Sequence, residues 1–407
     1  MMHSDTSGNC VTPIRILHVV GILQRGGVET WLMHVLRQLN RDQIQVDFLV
    51  QTNIPGAYDA EVEALGCRIW RCPIDRTQPW RYARQFKQIL REGGGSGGNP
   101  YQIVHSHVHH FSGFTLRLAH QMKVPVRIAH SHNDTSPVSK QAGWLRRLYM
   151  RLTQAWIHQY ATVGLAASRE AAQDLFGTQW EKEGRWQLLY YGVDLLPFET
   201  AEDADSARAA LGIPVDAFVL GHVGRFEHQK NHPFLLEIAA EVCQRDPKAY
   251  LLMIGGGPLR PDIEALVARS EWKDRILFAG LRPDVPRLMN SVMDIFVLPS
   301  FYEGLPLVGI EAQAAGLSLV LSDTITPELD AVPALITRLS LQQPASVWAE
   351  KILAVRSQHL HQLNNIGLET LQSSAFNITH SAKQLVSLYQ QSIQALEQEK
   401  MTGSEKP

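Results

Sequence analysis

Along the first half of the chain, apolar runs of strand length alternate with segments of helical period. Residues 14–20, 46–50, 103–105, 126–129 and 188–190 read as buried strands, and segments opening near Val28, Pro79, Ser112 and Trp144 read as the helices between them. Short continuous apolar runs separated by helices are the pattern of a parallel sheet covered on both faces. A second series follows at residues 218–223, 250–254, 276–279, 295–298 and 317–321, again with helical segments between. Between the two series lies Ala201-Glu202-Asp203-Ala204-Asp205, acidic and poor in large apolar residues. The predicted fold is α/β: two doubly wound, Rossmann-like units joined near residues 192–210 and facing a central cleft, with a ligand beyond their strand ends.

Length agrees with this division, because 407 residues exceed what one hydrophobic core fills. With 45% hydrophobic and 19% charged residues, the chain has enough apolar surface for large cores and too little charge for disorder. The 38 Lys+Arg and 40 Asp+Glu leave a formal charge of -2, so nothing draws the whole protein to nucleic acid or an anionic membrane. Any anion site is therefore local. Cys10, Cys67, Cys72 and Cys243 form no CxxC pair, which suits a reducing compartment and excludes a disulfide framework. The polar start Met1-Met2-His3-Ser4-Asp5 shows no secretory signal, and no apolar run approaches the roughly 20 residues that cross a bilayer. The expectation is a cytoplasmic protein, with peripheral contact at the cytoplasmic, inner-membrane face left open.

Four segments can carry chemistry. Gly21-Ile22-Leu23-Gln24-Arg25-Gly26-Gly27-Val28-Glu29-Thr30 follows the first strand and opens a helix; Gly26 and Gly27 allow a ligand close to the backbone, although a tight turn explains them equally well. In Gly224-Arg225-Phe226-Glu227-His228-Gln229-Lys230, after the first strand of the second series, Arg225 offers a fork of donors and Lys230 a mobile point charge, a pairing suited to a diphosphate. The bland reading is a solvated pair balanced by carboxylates. The third segment, Pro299 through Ala312, places Glu303 in a loop and Glu311 inside a helix begun by Pro306 and ended by Gly316. At 1.5 Å of rise per residue, the two carboxylates stand roughly 10 Å apart. One facing a sugar and the other a ribose, with phosphates between them at the helix N-terminus, describes a nucleotide-sugar. A helix cap plus a surface charge is the alternative for the glutamates alone.

The fourth segment is a histidine patch, His105-Ser106-His107-Val108-His109-His110 after one strand and His130-Ser131-His132 after the next. Such imidazoles can hold zinc, donate to sugar hydroxyls or satisfy a core; without a neighbouring Cys or an HExxH pattern, metal binding is not expected. Asp203-Ala204-Asp205 matches a DxD metal pattern but reads as a solvated linker, and the glycine-rich run 93–98 reads as a surface loop. The segment 144–152 is basic and amphipathic, with Trp144, Leu148 and Leu152 on one face; packing against the sheet is expected over a membrane or lipid-acceptor contact.

Taken together, Gly26-Gly27-Val28-Glu29, His105/His107, Gly224-Arg225…Lys230 and Glu303-x7-Glu311 occur in the order found in family-4 retaining glycosyltransferases of the GT-B fold, and the chain resembles the bacterial exopolysaccharide-type members over nearly its whole length. The resemblance implies an acceptor-binding domain at 1–195, a donor-binding domain at 208–375, and a C-terminal helix at 379–397 returning to the first domain. It implies that Arg225 and Lys230 hold the donor diphosphate, Glu303 the transferred sugar, Glu311 the ribose, and Gly304 and Leu305 the phosphates through backbone N–H groups. Gly26 and Gly27 complete the donor contacts. His105, His107, His130 and His132 contact sugar or acceptor, with His130 and His132 both able to fill the family's histidine near the sugar. Where the family often has Asn before Gly-Val-Asp, this chain has Tyr191-Gly192-Val193-Asp194.

The expected activity is retaining, metal-independent transfer from a nucleotide-sugar, a UDP-sugar for preference, to a lipid-linked or polysaccharide acceptor. The nucleotide-sugar is a substrate, so no cofactor is expected, and nucleic acid is no partner. An epimerase or isomerase on the same site, and a non-catalytic nucleotide-sugar-binding protein, are the rival readings.

Overall fold

A computed structural model describes residues 12–75, 77–93, 100–132, 143–200, 203–358 and 364–403. Cys10, most of the glycine-rich run and the first two residues of the acidic stretch lie outside them. The chain divides into two compact units, Met1–Leu189 with Ala382–Pro407, and Tyr190–Ser381.

The first unit is built on β1 (Ile14–Val20), β2 (Ile44–Val50), β3 (Ile69–Arg71), β4 (Ile103–Ser106), β5 (Val126–Ser131), β6 (Val163–Ala166) and β7 (Trp186–Leu188). They form one parallel sheet in the order β3-β2-β1-β4-β5-β6-β7. The order reverses at β1, where His18 stands in register with His105 of β4. Helices Gly27–Gln38, Pro79–Glu92, Ser112–Gln121, Trp144–Tyr160 and Arg169–Phe176 connect the strands. Leu17, Val19, Val104, Leu116, Ile157 and Leu175 belong to a core that excludes water.

The second unit repeats the plan with β8 (Phe218–Val223), β9 (Ala249–Ile254), β10 (Ile276–Gly280), β11 (Ile295–Leu298), β12 (Ser318–Ser322) and β13 (Ile336–Leu339). Their order is β10-β9-β8-β11-β12-β13, all parallel. Trp348, Phe218, Leu235 and Val297 are among the buried side chains of its core. Both units are Rossmann-like.

Four sequence expectations need correction. The strand placed at 188–190 is Trp186–Leu188: Trp186 stacks on Phe176 with ring centroids 4.5 Å apart and draws the earlier residues into the sheet. β3, β6 and β13 were not anticipated, because Ile-Trp-Arg, Val-Gly-Leu-Ala and Ile-Thr-Arg-Leu are too short or too mixed to stand out as apolar runs. Asp203 caps the helix Ala204–Ala209 by accepting from the Asp205 N–H, so the acidic stretch is a helix start and not a bare linker. Finally, the helix Trp144–Tyr160 is anchored by Thr153 and Ile157, while Trp144, Leu145, Leu148 and Leu152 are 68%, 64%, 58% and 48% exposed. Its first half does not pack against the sheet.

The C-terminal helix runs Ile378–Gly403 and belongs to the first unit from Ala382 onward, with Leu385 and Tyr389 fully buried. Within the second unit, Val193 donates to the Phe376 carbonyl at 2.7 Å and its own carbonyl accepts from Ile378 at 3.0 Å. A Cβ on the neighbouring Gly192 would sit 2.3 Å from the Ile378 Cα, so only glycine lets these backbones meet. Gly192→Ala should therefore lower the melting temperature by several degrees, as seen by calorimetry, since backbone on both sides leaves no side chain to yield. An unchanged melting curve would show that the segment relaxes freely.

Candidate active site

A parallel sheet sends the loops after all its strands to one edge, and in the second unit three of these loops make the site. The loop after β8 turns back on the one after β9: Gly224 donates to Ile254 O at 3.0 Å, and Phe226 donates to Gly256 O at 2.9 Å. Gly255 (φ 144°) makes this approach possible, because a Cβ there would lie 2.0 Å from Gly224 O. This Gly255-Gly256-Gly257 loop was not singled out from the sequence, although three glycines directly after a strand are a visible signal.

The loop after β11 joins the loop after β8 through Gln229. Its backbone carbonyl accepts from Phe301 N–H at 2.9 Å, and its side-chain amide donates to Tyr302 O and to Glu303 Oε2, both at 2.9 Å. Lys230 Nζ meets Glu303 Oε1 at 2.6 Å, with side-chain exposures of 14% and 7%. Lys230 and Glu303 are thus brought together as an ion pair. In so confined a place an unpaired charge is costly, so each group needs a partner of opposite sign, whether the other side chain or a ligand. The Lys230 stem lies over Gly224, whose missing Cβ would meet Lys230 Cε at 3.1 Å.

Arg225 does not join this pair. Its side chain is 71% exposed and its Nε lies 3.1 Å from Glu227 Oε1, leaving a solvated fork beside the pair's loop. Gly304 and Leu305, both buried, lead into the helix Leu307–Ala314, in whose first turn the Gly309 N–H donates to the Pro306 carbonyl at 2.9 Å. Pro306 stands at the N-cap and supplies no side-chain oxygen. Glu311, half-buried within this helix, has its pKa pushed up to about 7 by burial, with no cation among the described residues to offset it.

In the first unit, Gly26 caps the helix Gly27–Gln38 in extended backbone, and Glu29 folds over it. The four predicted histidines gather at the carboxyl ends of β4 and β5, together with two groups that sequence reasoning missed, His18 of β1 and Tyr389 of the C-terminal helix. His105 and His130 are fully buried, and His107 and His132 are nearly so. Both nitrogens of His105 are engaged, Nδ1 with Tyr389 at 2.7 Å and Nε2 with His130 at 3.1 Å. The expectation that His105 touches sugar therefore meets a ring turned wholly inward. Burial lowers the pKa of every one of these histidines, His18 and His132 to about 3, so the imidazoles are neutral. Ligand nitrogens of His18, His105 and His107, and of His107, His130 and His132, lie within 4.8 Å of one another, as do ligand atoms of the half-buried His109, His110 and Asp174; among the described residues these are the sets whose geometry could hold a metal.

Comparison with known proteins identifies the family. Residues 26–192 match the Glycosyl transferase 4-like domain, and residues 203–366 match Glycosyl transferases group 1. A Bacillus subtilis protein described as "Putative glycosyltransferase EpsF" is 39% identical over 340 residues, 83% of this chain and 86% of its own. The UDP-Gal:alpha-D-GlcNAc-diphosphoundecaprenol alpha-1,3-galactosyltransferase of Escherichia coli is 28% identical over 232 residues, 55% of this chain and 58% of its own. Among solved structures, Anabaena Alr3699/HepE in complex with UDP has a TM-score of 0.73 and 18% identity, covering 93% of this chain and 100% of that one. The chain belongs to the group 1, family-4-like glycosyltransferases, and its fold is GT-B. It is a transferase, and the isomerase and non-catalytic readings give way.

The raised pKa of Glu311 has a sign that can be tested. Between the ordinary 4.5 and about 7 the folded protein holds a proton that the unfolded chain has released, so stability from this group falls as pH rises through that window. Glu311→Gln should melt a few degrees above wild type at pH 8 and together with it at pH 4. Equal melting temperatures at pH 8 would show that the carboxylate is solvated.

Proposed function

We propose that this glycosyltransferase moves a sugar from a UDP-sugar to a lipid-linked or polysaccharide acceptor in exopolysaccharide or cell-envelope glycan synthesis, with retention at the anomeric carbon and without a metal ion. The observation that carries this reading is the half-buried Lys230–Glu303 pair, with Glu303 a few residues before the amino end of Leu307–Ala314. The names of two similar proteins support the donor and acceptor: one is a galactosyltransferase using UDP-Gal and a diphosphoundecaprenol-linked sugar, the other was solved with UDP. Likeness to EpsF, described as a putative glycosyltransferase, supports glycosyl transfer, and the exopolysaccharide setting rests on the order of the sequence motifs. On this reading the first unit takes the acceptor, and the second takes the donor.

The geometry then has a definite chemistry. A donor diphosphate draws Lys230 away from Glu303 and recruits the solvated Arg225, while the released Glu303 carboxylate accepts bonds from the sugar hydroxyls. Glu311 takes the ribose hydroxyls, and Gly304 and Leu305 offer backbone N–H groups to the phosphates. As the anomeric bond breaks, negative charge grows on the departing diphosphate, where two cations and a helix N-terminus await it. These donors supply the charge stabilisation that a metal ion would otherwise provide.

The exposed Trp144, Leu145, Leu148 and Leu152, interleaved with the exposed Arg146, Arg147 and Arg151, form a basic apolar surface suited to the anionic cytoplasmic face of a membrane, where a lipid-linked acceptor resides. Among the described residues no helix is long and apolar enough to cross a bilayer, so contact of this kind is peripheral.

Two measurements test the proposal. Nucleoside diphosphate release from a UDP-sugar panel with membrane-derived acceptor should fall about 10²–10³-fold in Lys230→Ala, the usual cost of one such donor. Undiminished turnover removes the assignment. In sedimentation with vesicles, the wild-type protein should pellet with anionic but not neutral lipid, and Trp144→Ser with Leu148→Ser should stay in solution; equal pelleting of both proteins contradicts the membrane contact.

A further inference from the structure

A separate cluster of ligand atoms stands outside the buried histidine group of the first unit. His109 and His110 follow the carboxyl end of β4 in one tight helical turn, and Asp174 lies in the helix Arg169–Phe176. His109 Nε2 is 3.1 Å from Asp174 Oδ2 and yet makes no hydrogen bond. The two atoms approach off the axis of an N–H, as lone pairs do when both point at a shared third atom. Both ring nitrogens of His110 are also buried and make no hydrogen bond among the described residues. One ligand atom from each of the three residues lies within 4.8 Å of the other two.

The backbone builds this convergence. His109 has φ 49°, in the left-handed region that histidine enters more readily than most side chains. Consecutive residues of a regular helix do not face each other, whereas here the left-handed residue brings both imidazoles together, with ring centroids 4.6 Å apart at 76°. The Asp174 side chain is only 7% exposed, and the buried Leu175 and Phe176 beside it fix its helix to the core. Two imidazoles and a carboxylate offer three lone pairs and one negative charge, a donor set of the kind that zinc takes. With metal–ligand bonds of 2.0–2.2 Å, tetrahedral neighbours stand roughly 3.3 Å apart. The His109–Asp174 separation already suits that spacing, and rotation of the half-buried His110 ring closes the rest. The charge of Arg146, which His110 feels, sits on an exposed residue where water screens it.

We propose that His109, His110 and Asp174 bind one divalent cation of the zinc class, with water completing a tetrahedral site, and that the ion ties the turn after β4 to the helix Arg169–Phe176. The two buried histidine sets are poorer hosts. His18 Nδ1 meets His107 Nε2 at 2.8 Å and His107 Nδ1 meets His132 Nε2 at 3.0 Å, so a metal there must first break hydrogen bonds. Neither of those sets contains a carboxylate to offset the charge of a buried cation. The histidine patch alone gave no metal signature in the sequence, because its third ligand comes from a separate helix further along the chain. The site shares no residue with the donor loops of the second unit, so it stands independently of the proposed transfer chemistry.

Equilibrium dialysis of the full chain, untagged and stripped with a chelator, against Zn2+ counts the bound metal, and Co2+ in its place reports the geometry through visible absorption. The wild-type protein should take up one equivalent and, with Co2+, show the intense bands of a four-coordinate ion. His110→Ala and Asp174→Asn should each weaken binding at least about 100-fold, since loss of a group that merely supports a ligand already costs about 10–100-fold. Using both variants keeps the test available if one fails to fold. His107→Gln removes the histidine common to the two buried sets and should bind as the wild type does. Saturating Zn2+ should raise the wild-type melting temperature by several degrees and leave that of Asp174→Asn unmoved. No uptake by the wild-type protein, or unchanged affinity in the folded His110 and Asp174 variants, overturns the proposal. Loss of binding in folded His107→Gln with retention in His110→Ala also overturns it, by putting the ion in the buried group.

Discussion

Every strand in each sheet runs the same way, so the carboxyl ends of all strands share one edge, and polar groups placed there crowd together against an apolar core. Crowding of this kind permits a titratable group only a few states. It is neutral, as are His18, His105, His107, His130 and His132; it is paired, as are Lys230 and Glu303; or it holds its proton toward neutrality, as does Glu311. The two units apply one constraint to different residues. The first collects uncharged rings that exchange hydrogen bonds, and the second collects charges that wait for a counter-charge.

The second unit's arrangement explains why a charged ligand suits the site. A lysine and a glutamate that neutralise each other at 2.6 Å form a stable resting state, yet each has a natural replacement in one molecule, phosphate for the glutamate and sugar hydroxyls for the lysine. On the proposed function, binding exchanges one satisfied arrangement for another and avoids stranding either charge. Gln229 holds both loops in place during this exchange, since its backbone and side chain bond the segment that carries Glu303.

Much of this was legible in the order of residues. The central strands Ile14–Val20, Phe218–Val223 and Ile295–Leu298 announce themselves because burial on both faces demands unbroken apolar runs, and the loops after them held the candidate cations and acids. Edge strands such as Ile69–Arg71 and Ile336–Leu339 escaped, being short and half-solvated. Side-chain partners escaped for a different reason. Tyr389 lies 284 residues from His105 in sequence, and nothing local marks a helical tyrosine as the companion of a strand histidine. The exposed face of Trp144–Tyr160 misled because periodicity shows that a helix has an apolar face, without showing what that face meets.

Calorimetric titration of UDP into the wild-type protein and into Lys230→Ala reaches the centre of this picture most directly, because it asks whether the half-buried cation is held ready for a diphosphate. Replacement of the lysine should weaken UDP binding at least about tenfold, a difference of about 1.4 kcal/mol. Equal affinity of the two proteins for UDP would contradict it.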